Sequence, residues 1–83
     1  MIELNGNEKV VLLNLLKAHH IGCSWHSAIF GTSITTEAGA RFLLGRLVEW
    51  GFTSGGPSRF FITEEGAGEA FKIEMPQQAP AMF

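Results

Sequence analysis

Glycine divides this chain. Gly22, Gly31 and Gly51 each follow a helix-like segment, and Gly55-Gly56 stands beside Pro57 in a polar stretch. Glycine enters the left-handed conformation that ends helices and makes tight turns, so each of these positions closes an element. What lies between them reads as three short helices and one pair of β-type runs.

The first helix is predicted over about Glu8–His19. Asn5 is its N-cap, with Glu8 three residues on as the reciprocal partner of a capping box. Val11, Leu12, Leu15 and Leu16 form one stripe. Val10 and Leu13 fall off it, so the helix is apolar over more than half its circumference. It is therefore either central to the fold or part of a subunit contact. His19 and His20 occupy its last turn and Gly22 ends it.

Ser24 caps a second helix, about Trp25–Phe30, closed by Gly31. Thr32–Thr36 is a polar turn. The third helix is predicted from about Thr36 to Trp50, with Gly51 as its C-cap. At 100° per residue, Ala40, Leu43, Leu44, Leu47 and Trp50 share one face. Ala38, Arg41, Phe42, Gly45 and Glu49 share the other. Phe52–Thr53 and Arg59–Ile62 flank Ser54-Gly55-Gly56-Pro57-Ser58 as a hairpin. Thr63 caps a final helix from Glu64 to about Glu74, whose first-turn acids Glu64 and Glu65 suit the helix dipole. Met1–Leu4 alternates like a short strand. The expected fold is α+β, one domain over residues 1–74 with a loose tail over residues 75–83.

Composition narrows the function classes. No stretch reaches the roughly 18 apolar residues that cross a bilayer. Val10–Leu16 is short, broken by Asn14 and preceded by acids, so no signal peptide is expected. Cys23 is the only cysteine, so no internal disulfide can form, and a cytoplasmic location is the default. Six Lys and Arg stand against eight acids, a formal net charge of −2. Nucleic-acid binders usually carry a basic face, and this balance argues against one.

Leu47-Val48-Glu49-Trp50-Gly51-Phe52 resembles the L-x-x-x-G-L/F ending of a recognition helix. Arg59-Phe60-Phe61-Ile62-Thr63-Glu64-Glu65-Gly66 resembles a second wing strand running into L-T-x-x-G. With the order strand, three helices, hairpin, helix, the chain resembles the winged helix-turn-helix superfamily, including MarR-like and small bacterial or phage regulators. That resemblance implies a winged-helix fold and duplex-DNA contacts. They would come from Thr35, Thr36 and Arg41 on the third helix, from Ser24, His26 and Ser27 at the second, and from Ser58 and Arg59 on the wing. Two departures stand out. The stretch from Gly31 to Leu47 is longer than usual, and the outward face of the third helix offers a single arginine, with none of the Lys, Asn and Gln that also read base edges.

Other chemistries find less support. Phe42 points outward and Phe61 alternates out of phase with Phe60 and Ile62, which suits a protein-binding surface. His19, His20, Cys23 and His26 fall within eight residues. A structural zinc site needs a second cysteine-containing pair, so no metal or other cofactor is expected. Cys23 and His26 lack a third catalytic group and an oxyanion loop, and no nucleotide motif is present, so the chain is not expected to be an enzyme or to hold a small-molecule substrate. Two readings remain. The leading one is a small DNA-binding transcriptional regulator, acting as a homodimer through Val10 and Leu13 with the final helix or Phe83, or with a partner. The rival is an acidic winged-helix protein-interaction module without DNA binding, such as a phage or mobile-element protein that modulates a host protein.

Overall fold

The computed structural model describes residues 3–56 and 58–78, with side chains as far as residue 73. It is a mixed α+β arrangement of four helices and a two-stranded antiparallel hairpin. The elements are α1 (Gly6–Lys17), α2 (Trp25–Ala28), α3 (Glu37–Glu49), β1 (Thr53–Gly56), β2 (Arg59–Ile62) and α4 (Glu64–Gln78). Among the described residues no helix is long and apolar enough to cross a membrane.

Local capping sets the helix starts. Asn5 Oδ1 accepts from the Glu8 amide and Glu8 Oε1 from the Asn5 amide, both at 2.8 Å, completing the capping box. The Ser24 and Thr36 hydroxyls accept from Ser27 and Gly39 amides at α2 and α3. α3 ends in a Schellman motif: the Phe52 amide reaches the Leu47 carbonyl and the Gly51 amide reaches that of Val48. Gly51 holds φ +84° there, a conformation strained for a side chain with a Cβ.

The end of α3 and the start of α4 form one joint. Thr63 Oγ1 donates to the Gly51 carbonyl and accepts from the Gly66 amide, while the Thr63 amide donates to the Phe52 carbonyl. Gly66 has to be glycine because a Cβ there would run into the Phe52 carbonyl oxygen. The two motifs read from the sequence, one ending at Gly51-Phe52 and the other at Thr63-x-x-Gly66, are thus the two halves of one contact.

Val11, Leu12 and Leu15 from α1 meet Ala40, Leu43, Leu44 and Leu47 from α3 in one core. Cys23, Ala28, Ile29, Phe52, Phe60 and Ala70 complete it. Burying such side chains supplies about 1.5–3 kcal/mol each before the entropy of ordering is charged against it.

Three expectations need correction. Glu3, Leu4 and Asn5 form no strand, and Met1 and Ile2 lie outside the described residues. The extra pairing occurs instead at Cys23, whose amide and carbonyl exchange hydrogen bonds of 2.8 and 2.7 Å with Phe60 of β2. Isolated N-terminal residues have no backbone partner to hold them extended, whereas Cys23 lies beside β2. The hairpin runs Thr53–Gly56 against Arg59–Ile62, so Gly55 and Gly56 are strand residues, paired with Phe60 and Arg59. Finally, α4 continues through Met75 and Pro76 to Gln78, past the expected limit at Glu74. The remainder of the expected tail, including Phe83, lies outside the described residues.

Candidate binding surfaces

α3 turns its apolar stripe inward, which leaves Ala38, Phe42, Gly45, Val48 and Glu49 exposed. Phe42 is 68% exposed, confirming the helical phase read from the sequence. A ring held in water on a rigid helix is a ready contact for another apolar surface. Arg46, one turn further on, was not among the residues singled out by sequence. Its guanidinium lies 5.8 Å from the Phe42 ring centroid and 5.0 Å from that of Trp50. Its Nη2 is 3.0 Å from Glu8 Oε2, an ion pair not aligned as a hydrogen bond. Glu8 is completely buried, so the capping-box acid also links α1 to α3. Only the capping half of that role is visible as a local spacing.

The arginines proposed for DNA have partners within the chain. Arg41 Nε sits 2.7 Å from Glu37 Oε2, four residues earlier on α3. Arg59 Nη1 donates to the Ile21 and Gly22 carbonyls at 2.8 and 3.1 Å, fastening β2 to the turn after α1. Ser24 and Thr36 spend their hydroxyls as caps. Thr35, His26, Ser27 and Ser58 are exposed. His26 stacks on Trp25 with ring centroids 3.6 Å apart.

The proposed protein contacts divide. Phe42 is displayed as expected. Phe61 is half-buried, its ring lying where a Cβ on Gly22 or Gly55 would go, so it packs on the backbone more than it faces out. Leu13 is half-buried and packs against the core, and Val10 is half-buried with a methyl beside Gly31. Both therefore keep part of their surface accessible. Among the described residues, sequence reasoning passes over four exposed large apolar side chains, Ile21, Phe30, Val48 and Phe71. Phe30 had been placed at a helix end, where nothing in the periodicity marks a side as outward.

The histidine and cysteine cluster makes no set of ligands. Among the described residues no group of three or more His, Cys, Asp or Glu could hold a metal ion. His19 Nδ1 lies 3.1 Å from the Leu16 carbonyl, and the buried Cys23 thiol points to the Asn14 carbonyl. Burial pushes the Cys23 thiol above its ordinary range, with the positive charge of Arg59 pulling the other way. No protein-family model, curated protein or solved structure matches this chain.

Proposed function

We propose that this chain is a non-catalytic winged-helix binding module whose target is a protein. The layout is compatible with that plan: α1, α2 and α3 in succession, then a hairpin and α4, with one added bridge at Cys23 between α1 and α2. The observation that carries the choice of target is the exposed side of α3. It presents Phe42 among Ala38, Gly45 and Val48, while Arg41 and Arg46 are engaged with Glu37 and Glu8. A phosphate backbone is recognised by cations in excess, and a protein surface by aromatic anchors.

The second reading is a transcriptional regulator bound to duplex DNA. It is favoured by the exposure of Thr35, His26, Ser27, Ser58 and Arg59 around the helix starts and the hairpin. One paired experiment decides between them. Peptides selected from a random display library on the wild-type protein should lose about 2 kcal/mol or more of affinity on Phe42→Ser, roughly thirtyfold. Random-sequence duplex at low salt should show no binding that depends on arginine. Duplex binding that weakens in both Arg41→Ala and Arg59→Ala, and falls steeply with salt, would overturn the protein reading.

A further inference from the structure

The eight acids of the chain are unevenly placed: residues 9–36 contain none, although they carry Lys9, Lys17 and all three histidines. This acid-free stretch makes most of α1, the turn after it, α2 and the loop up to α3. Between α1 and α2 lies an open depression of about 430 Å³, lined by Asn14, Lys17, Ala18, Cys23, His26, Ser27 and Phe30. The volume falls within the range of ligand-binding clefts.

The lining combines two chemistries. Phe30 is 80% exposed, and with Ala18 and Cys23 it makes an apolar wall and floor. Lys17 and His26 bring cationic or hydrogen-bonding groups, and no lining residue is acidic. Asn14 is already used, its amide nitrogen donating to the Ala28 and Phe30 carbonyls at 2.8 Å, so it fixes α2 and the Phe30 backbone against α1. Arg59, held on the Ile21 and Gly22 carbonyls, adds a positive charge whose influence reaches Cys23 on the floor. The result is a partly apolar trough with Lys17 on its rim and no carboxylate in its lining.

We infer that the depression between α1 and α2 docks an acidic segment of a partner protein, with carboxylates beside Lys17 and an apolar side chain against Phe30. Charge complementarity argues for this occupant. An alternating acidic and apolar chain satisfies both the cations and the ring, whereas a phosphate backbone offers nothing to Phe30 and asks for more cations than Lys17 and His26 supply. This surface is separate from the exposed side of α3, so the two can be tested independently.

The probe is a fluorescein-labelled peptide alternating Glu with Leu, compared by anisotropy with its counterpart carrying Lys in place of Glu. The Glu peptide should bind, and the Lys peptide should not. Lys17→Glu and Phe30→Ser should each weaken binding about tenfold or more. Lys72→Glu makes the same charge change on α4, where Lys72 pairs with Glu69, and should weaken binding less than about twofold. Lys17 and Phe30 are exposed, so melting temperatures should hold. If Phe30→Ser melts early, Lys17→Glu carries the test. Equal losses in Lys17→Glu and Lys72→Glu would reduce the effect to net charge and overturn the proposal. Equal binding of the two peptides would also overturn it, as would duplex DNA that binds through Lys17 and displaces the Glu peptide. A self-association abolished by Lys17→Glu and Phe30→Ser would assign the trough to a second copy of the chain and overturn it too.

Discussion

Two glycines in one helix make opposite predictions at the residue scale. A Cβ at Gly68 meets nothing within 4 Å, whereas one at Gly66 collides with the Phe52 carbonyl. Gly68→Ala should therefore raise stability by about 0.5–1 kcal/mol, the usual helix gain. Gly66→Ala should lower it by about 1–3 kcal/mol through forced movement of the joint. Thermal melts of the pair check this, and a stabilised Gly66→Ala would refute the close packing. Gly51→Val should also cost about 1 kcal/mol or more, because a β-branched residue resists φ +84°. Cys23 gives a pH signature. Its thiol is held above the ordinary value of 9.0, so the folded chain keeps it neutral to higher pH than the unfolded chain does. That contribution is intact below the unfolded thiol's range and is lost as pH rises through the folded value. The melting temperature should decline above about pH 9 less steeply in Cys23→Ala than in the wild type, and iodoacetamide should label folded Cys23 slowly at pH 8.

Between elements, the Glu8–Arg46 pair is the contact to probe. Arg46→Ala leaves a buried carboxylate with only the Asn5 amide as partner. The expected loss is about 1–3 kcal/mol, below the range for fully buried pairs because the Arg46 side chain is 39% exposed and water screens it. Glu8→Ala removes the capping box as well. A double-mutant cycle on urea-unfolding midpoints should show coupling of about 0.5 kcal/mol or more, and strict additivity would remove the link between α1 and α3. This scale also shows where the sequence was readable. Asn5, Ser24, Thr36 and Thr63 act on amides within three residues, so spacing alone finds them. The Cys23–Phe60 pairing and the Arg46–Glu8 pair join residues distant in the chain, and no local period marks either. Phe42 was legible because α3 is long enough for its phase to be unambiguous. Phe30 was not, because α2 is a single turn. Arg59 looked like an available charge because a long-range carbonyl acceptor leaves no trace in a sequence.

For the whole molecule, exposure separates recognition from stability. Phe42→Ser should leave the melting temperature within about 4 °C of the wild type, since a surface change of this kind moves stability by under roughly 0.5 kcal/mol. A large drop would mean that the ring is covered in solution, and its role as a binding anchor would fall with it. The hairpin's two strands are held differently. β2 is tied close to the turn, where Cys23 brackets Phe60 with two hydrogen bonds and Arg59 grips the Ile21 and Gly22 carbonyls, and the Thr63 joint closes the base. Ser54 and Gly55 on β1 and Ser58 beside the turn are exposed. Amide hydrogens report such gradients directly. In heavy water the Cys23 and Phe60 amides should be among the last to exchange and that of Ser58 among the first, so the hairpin is moored through one strand almost to its end, and protection falls away within the two residues from Phe60 to Ser58.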